Sequence, residues 1–383
     1  MKIFIIHSYY QQRGGEAYVV EHELSLLQKS HETFLYHNKN KKGLHGLIQT
    51  FFSPWNIFEA KKILQAVNTF KPDVIHIHNL HYSIGPYVIR KLQKTGIPMV
   101  KTIHNFRLVC PSAVLAHHGK IYLKSLDEDF PWSAVRDRVH VNSYIKTFWL
   151  AWTYWLHKKM GTWQKIDKYI VLSNFAKQIF LKTNIGIVES QFVLKVNSVE
   201  DFLEKSYPQR KSHFLYVGRL SEEKGIIPLI KALRKESLTL KIAGDGPLKE
   251  EVIHLIEDSN YISYLGQLNK EQLKSELAEC TALIVPSTCF EGLPLTILES
   301  FSAGNIVFAS KLGALKDIIS EKYNGFLFNL NNPNEVVQLL KDWLTADEST
   351  KTLMRQNARK EYLSKYTDYK NIENLISIYS DLV

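Results

Sequence analysis

Residues 281–310, "TALIVPSTCFEGLPLTILESFSAGNIVFAS", run from one short apolar segment to another through a single helical stretch. "TALIVPS" is brief, rich in β-branched residues and closed by Pro286, the pattern of a buried strand. Residues 288–292 form the loop leaving its carboxyl end, Pro294 suits the first turn of the helix "LPLTILESFSAG", and "NIVFAS" is the next strand. Strand, crossover helix and strand, with little polar alternation, make one unit of a parallel sheet covered on both faces. The polar exceptions are Glu291 in the loop and Glu299 inside the helix, with residues 292–298 between them. They share no helix face, yet both stand on the strand-end side, where open α/β sheets take their ligands. Carboxylates beside a helix start are also ordinary helix chemistry, so spacing alone leaves the two readings even.

The same rhythm extends in both directions. Toward the C-terminus of "LKVNSVEDFLEKSYPQRKS", the polar stretch with Pro208 that reads as a linker, come "HFLYVGRL", "LTLKIAG" and "YISYLG" with helices between them. Toward the N-terminus, "KIFIIH", "HETFLYH", "PDVIHIHN", "PMVKTIHN" and "KYIVLSN" repeat the pattern. A chain of 383 residues exceeds one compact core. We therefore expect two α/β domains, each a doubly wound Rossmann-like parallel sheet, over about residues 1–198 and 206–366, facing across a cleft. The last helix, about 367–383, is expected to pack back on the first domain.

Composition excludes several classes. Hydrophobic content of 45% with 22% charged residues is ordinary for a globular protein. The most apolar run, "TFWLAWTYWL", is half of the roughly 20 residues a spanning helix needs. Cys110, Cys280 and Cys289 have no metal-ligand spacing, so reduced thiols and a cytoplasmic setting are expected, with no zinc and no disulfide framework. The net charge of +10 is uneven: residues 1–205 hold 27 Lys plus Arg against 15 Asp plus Glu. That half should face something anionic: a lipid surface, a phosphorylated acceptor or nucleic acid.

Three further constellations sit at strand ends. In "VGRLSEEKG", Arg219 follows a strand, Ser221 is a candidate N-cap and Lys224 falls in the first helical turn. Cations disfavour a helix N-terminus, so an anion held between them, such as a diphosphate, would account for the pair. Gly14 and Gly15 follow the first strand and would let a ligand approach the backbone, although they form neither a dinucleotide fingerprint nor a P-loop. His104 and Asn105 end the strand in "KTIHNFRLVCP", with Arg107 just beyond, and His76, His78 and His81 crowd a neighbouring strand end. His76 and His78 share one face of a strand that should be packed, which argues against a metal cluster.

Taken in order, "RGGEAYVVEHELSLL", "DVIHIHN", "TIHNFRLVCP", "YVGRLSEEKG", "IAGDGPLKEEV", "YLGQLNKEQL", "VPSTCFEGLPLTILESFSAG" and "SEKYNGFLF" resemble the retaining nucleotide-sugar glycosyltransferases of family 4, over nearly the whole chain. The resemblance implies the GT-B fold and a metal-independent transfer with no cofactor beyond the nucleotide diphosphate sugar. It implies that Glu291 and Glu299 are the family's paired glutamates, the first near the donor sugar and the second on the ribose. Arg219 and Lys224 would hold the diphosphate beside Gly218, Gly14 and Gly15 would line its approach, and His104 would sit at the transferring sugar. Gly292 and Leu293 would offer backbone amides, Gly266 and Leu268 would flank the base, and Asn105 and Arg107 would lie on the acceptor side. Ser300, the absence of Pro-Asn-Gly near the linker, and the missing cysteines of the 110–145 loop depart from the usual pattern.

The segment 144–165 carries Trp149, Trp152, Trp155 and Trp163 among lysines and reads as one helix that could lie in a membrane interface or pack as core. Peripheral docking on the inner face of the cell membrane fits a lipid-linked or saccharide acceptor in bacterial surface glycan synthesis. Two other classes remain open from sequence: a glycoside hydrolase, which leaves Arg219 and Lys224 unexplained, and a non-enzymatic nucleotide or nucleic-acid binder, which lacks aromatics interleaved along a basic groove. No nucleic-acid partner is expected.

Overall fold

A computed structural model describes residues 1–12, 14–203 and 210–383, so Pro208 and the centre of the expected linker lie outside the described residues. The chain divides into two compact units. One comprises Met1–Leu115, Leu123–Val196 and Asn371–Val383, and the other Ala116–Tyr122 and Asn197–Lys370.

The first unit is built on β1 (Lys2–Tyr9), β2 (Glu32–Lys39), β3 (Val74–Asn79) and β4 (Met99–Ile103). After a short antiparallel hairpin of β5 (Ala116–His117) and β6 (Lys120–Ile121), which groups with the second unit, β7 (Lys168–Val171) and β8 (Phe192–Leu194) complete the sheet. Its spatial order is β2-β1-β3-β4-β7-β8, with every pairing parallel. The interior strands are buried on both faces, which is why they read as continuous apolar runs. Helix Gly15–Leu27 lays Val20 and Leu27 against Ile3, Ile5, Val74 and Val100. The C-terminal helix Asp368–Ser380 adds Leu375, Ile378 and Tyr379 to that core at helical spacing. Its Asn371 Nδ2 donates to the Val196 carbonyl at 2.8 Å.

The second unit carries β9 (Phe214–Val217), β10 (Leu240–Ala243), β11 (Ile262–Gly266), β12 (Ala282–Val285), β13 (Val307–Ser310) and β14 (Gly325–Phe328). The order is β11-β10-β9-β12-β13-β14, again all parallel. Phe214, Ile284, Phe308, Leu229 and Trp343 share its core. In each sheet the winding direction reverses once, between β1 and β3 in the first and between β9 and β12 in the second. Ligand crevices form at such reversals, outside the carboxyl ends of the strands. β8, with three residues, is too short to show a period in sequence, and only its pairing defines it.

Two sequence expectations change. The segment 144–165 is not one helix: the helix is Tyr144–Lys159, Gly161 follows at φ +63°, and a single 3-10 turn Trp163–Lys165 ends it. Trp163 is fully buried, Trp149 binds inward by donating to the Thr50 carbonyl at 2.7 Å, and Trp155 donates to the exposed Asp129 at 3.2 Å. Nor does Ser221 cap a helix. Its hydroxyl donates to Glu223, residues 222–224 make one 3-10 turn, and the α-helix starts at Ile226 after Gly225. Cys110, Cys280 and Cys289 are buried free thiols.

Candidate functional site

In the second unit the loops after β9 and β12 leave adjacent strands at the reversal point. They are tied by Thr288, whose N–H donates to the Glu223 carbonyl at 2.9 Å and whose hydroxyl donates to the Glu222 carbonyl at 3.1 Å. This brings Lys224 Nζ within 2.6 Å of Glu291 Oε1, which also accepts from Ser287 Oγ at 2.6 Å. Burial works against the charge on Lys224, but Glu291 outweighs it, with help from Cys289 and Glu223, and holds the ammonium above its ordinary pKa. Lys224 and Glu291 thus form an ion pair at the mouth of the sheet.

Gly225 makes this geometry. Its φ is +69°, and a Cβ there would lie 1.8 Å from the Pro286 carbonyl oxygen, in the loop that carries Glu291. Gly225→Ala is therefore expected to destabilise the protein by more than about 2 kcal/mol, since left-handed strain and a backbone collision add. A urea midpoint indistinguishable from wild type would contradict the close approach. Gly244, at φ +136°, likewise lies so close to the Gly218 carbonyl oxygen that a Cβ there would stand 1.9 Å from it. The exits of β9 and β10 are drawn together in this way, with Gly218 N–H donating to the Ala243 carbonyl at 3.1 Å.

The other expected donor residues fall around the same strand ends. Arg219 is exposed just after β9, and its carbonyl accepts from Tyr216 OH at 2.9 Å. Gly266, at φ +74°, ends β11 with open space beside it, and Leu268 lies in the connection that follows. Gly292 and Leu293 lie in the loop before helix Leu295–Ser302, and Pro294 is its N-cap residue, not part of its first turn. Glu299 is inside that helix and partly buried. Desolvation raises its carboxyl to about 7, with Lys270 pulling weakly the other way.

In the first unit, Gly14 is the extended N-cap of helix Gly15–Leu27, with empty space where a side chain would stand. His104, Asn105 and Arg107 follow β4. His104 Nε2 meets His78 Nδ1 at 3.0 Å, and Arg107 donates its amide to Asn105 Oδ1 at 3.0 Å and Nη1 to His81 Nε2 at 3.0 Å. Burial first, then Lys101 and neighbouring histidines, push the His104 pKa well below its usual range, so the imidazole is neutral. Arg107 also lines a cavity of about 310 Å³ with Asp127, Asp129, Tyr154, Trp155 and Lys182. A pocket of aromatic faces, carboxylates and cations has the chemistry to hold a polar, ring-shaped ligand.

Sequence reasoning missed Glu16 and Lys101, which gather at the same strand ends. Burial raises Glu16 to about 7 against the pull of Lys101 and Arg107, and burial lowers Lys101 to about 8. Glu16 directly after the glycine pair, and a lysine inside the apolar run "PMVKTIHN", were the available signals. Deeper in the unit, Glu23, His76 and His78 bring ligand-type atoms near one another. Several of those side chains are already engaged, although Glu23 Oε2 has no hydrogen-bond partner. Glu23 accepts from Lys195 Nζ at 2.5 Å, His76 bonds Thr102 at 2.8 Å and Tyr379 at 2.7 Å, and His78 meets His104. A donor set with an ammonium inside it is a buried network, not a cation site.

With that geometry in place, comparison with known proteins decides the family. The family model "Glycosyltransferase Family 4" matches residues 6–188 and "Glycosyl transferases group 1" matches residues 198–361. The chain belongs to glycosyltransferase family 4. It is 29% identical over 328 residues to an uncharacterised glycosyltransferase of Methanocaldococcus jannaschii, spanning 82% of this chain and 87% of that protein. It is 23% identical over 351 residues to the Escherichia coli UDP-Gal:α-D-GlcNAc-diphosphoundecaprenol α-1,3-galactosyltransferase, spanning 88% of this chain and 84% of that one. Anabaena HepE, solved with UDP and glucose, superposes with a TM-score of 0.67 at 16% identity, covering 99% of this chain and 100% of that one. The two parallel-sheet units are those of the GT-B glycosyltransferases.

Proposed function

We propose that this glycosyltransferase moves a hexose from a UDP-sugar to a lipid-linked saccharide acceptor at the cytoplasmic membrane surface, with retention of anomeric configuration, in bacterial surface glycan assembly. The observation that carries the reading is the 2.6 Å pair of Lys224 and Glu291 at the reversal point of the second sheet, a cation placed where a diphosphate would bind. The UDP complex of HepE and the diphosphoundecaprenol acceptor named for the E. coli relative support the donor and acceptor classes.

In this reading the bond from anomeric carbon to phosphate oxygen breaks, and negative charge grows on the leaving diphosphate. Lys224 and Arg219 stabilise that charge, which removes the need for a metal ion. The acceptor hydroxyl attacks the face the phosphate leaves, and a phosphate oxygen takes its proton. Glu291 releases Lys224 toward the diphosphate and stands near the donor sugar. Glu299 accepts from the ribose hydroxyls, while Gly266 and Leu268 flank the base. His104, neutral and held by His78, is assigned to the transferring sugar, and Gly14, Gly15, Asn105 and Arg107 to the approach of the phosphate and acceptor. A hydrolase would need its carboxylates free for acid and nucleophile roles, whereas Glu291 is engaged by Lys224 and Ser287.

A melting screen of UDP, GDP and ADP with their sugar conjugates tests the donor site. UDP compounds are expected to raise Tm in the presence of EDTA, and Glu299→Ala is expected to abolish the shift. A shift that EDTA removes, or that only GDP or ADP produces, would overturn the metal-independent UDP reading. The pH dependence follows from Glu299. Its carboxyl is protonated below about 7 in the ligand-free protein, so a ribose that binds the carboxylate form must displace a proton at lower pH. UDP affinity in wild type should therefore weaken by up to about tenfold per unit below pH 7. Glu299→Gln should bind weakly with a flatter profile, which isothermal titration at pH 6, 7 and 8 would reveal.

A further inference from the structure

Among the described residues, several strongly exposed apolar side chains concentrate in one short segment of the first unit, although the single most exposed, Ile145 at 80%, lies on the tryptophan-bearing helix. Helix Gly43–Phe52 buries none of its residues. Leu44 is 71% exposed, Leu47 58%, Phe51 62% and, just past the following turn, Phe58 is 69%. The inner side of this segment is held by polar contacts. Trp149 Nε1 donates to the Thr50 carbonyl at 2.7 Å, His157 Nε2 lies 2.8 Å from the Pro54 carbonyl, and Asn56 caps the next helix by accepting from Glu59 N–H at 3.1 Å. Gln49 ties the helix back to the chain that enters it, accepting from Lys41 N–H at 2.8 Å and donating to the Lys39 carbonyl at 3.2 Å. The apolar side chains are thus presented outward on a fixed support, which a soluble monomer gains nothing by doing.

The surrounding charge says what covers them. Residues 33–58 contain no acidic residue, and exposed Lys39, Lys41, Lys42 and Lys61 flank the apolar segment, while Lys62 is paired with Glu59 at 2.8 Å. A second copy of the chain seated symmetrically on this patch would set one lysine collar against another. An anionic bilayer instead offers hydrocarbon to the apolar side chains and negative headgroups to the collar. No helix among the described residues is long and apolar enough to cross a membrane, so the contact would be interfacial.

We infer that the 43–58 segment, not the tryptophan-bearing helix Tyr144–Lys159, is the element that docks this protein on an anionic lipid surface. The Trp149 and Phe51 rings, stacked 5.6 Å apart, place that helix behind the docking segment as its support. The inference deepens the reading of a membrane-resident acceptor and rests on it for its purpose, but its test does not depend on catalysis.

The full-length protein would be sedimented with phosphatidylglycerol-containing vesicles and with pure phosphatidylcholine vesicles at low and high salt. We expect preferential binding to the anionic vesicles. Leu44→Ser/Leu47→Ser/Phe58→Ser should weaken it at least about tenfold, and Lys41→Glu/Lys42→Glu about as much, since each lysine near the surface contributes roughly fivefold. Ile145→Ser, on the tryptophan helix, should leave it unchanged. The UDP-induced melting shift, measured on each variant, shows that the variants are folded. Wild type that ignores anionic vesicles, a triple variant that binds them as well as wild type, or a wild-type dimer that the triple variant splits while vesicle binding persists would overturn the inference. Loss of vesicle binding with an intact UDP shift in wild type would sink the docking surface and leave the transfer reading standing. Vesicle binding without any nucleotide shift would do the reverse.

Discussion

Lys224→Ala is expected to lower kcat/KM for sugar transfer by about 10²- to 10³-fold, the loss of about 2.7–4 kcal/mol that follows removal of one preorganised group from a developing charge. The effect should appear mainly in kcat, because the diphosphate carries more negative charge on its oxygens as the glycosidic bond breaks than it does in the bound donor. Lys224→Arg should recover little: Lys224 Nζ meets Glu291 Oε1 at 2.6 Å in a partly buried site, where a point charge fits and a planar fork does not. Arg219→Ala, at an exposed position, should lose less than Lys224→Ala. Steady-state rates with saturating acceptor would decide it. Equal losses at both positions would mean that the Lys224–Glu291 pair has no special part in stabilising the leaving group.

The second large effect concerns stability. Glu23 and Lys195 are each about 3% exposed, and their side chains meet at 2.5 Å inside the first unit. Glu23→Gln or Lys195→Met alone leaves a charge buried without its counterpart, which destabilises by about 3–5 kcal/mol and lowers Tm on the order of 10 °C. The double variant Glu23→Leu/Lys195→Met should regain most of that loss, because neither desolvated charge remains. A thermal melt of the three variants tests this. Single variants within about 1 kcal/mol of wild type would show that water reaches the pair. The network extends to function, since Glu23 Oε2 lies 3.7 Å from His78 Nε2 and His78 in turn contacts His104. Loss of Glu23 should therefore also loosen the imidazole assigned to the donor sugar.

How much of the site could be read in advance depended on how far apart its parts lie in the chain. Arg219, Lys224, Gly225 and Glu291 sit in the loops that leave β9 and β12, and Glu299 in the helix that follows β12, so a strand assignment carries each of them toward the mouth of the sheet. Local backbone detail did not follow as readily. Ser221 has the residue type of a cap but spends its hydroxyl on Glu223, because the left-handed Gly225 delays the helix by one turn.

The sequence by itself determined two parallel sheets and the family, since both rest on short segments in a fixed order whose burial on two faces leaves a continuous apolar signature. Tertiary structure alone decided what depends on distant partners. Lys195 reaches Glu23 across 172 positions, and Tyr379 reaches His76 across 303. The apolar residues of 43–58 and of 144–165 look alike as strings, yet packing buries Leu150, Ala151 and Trp163 of the second segment and no residue of helix Gly43–Phe52 in the first. Hydrophobicity is a property of a residue, whereas burial is a property of its neighbours, and only the folded chain assigns those.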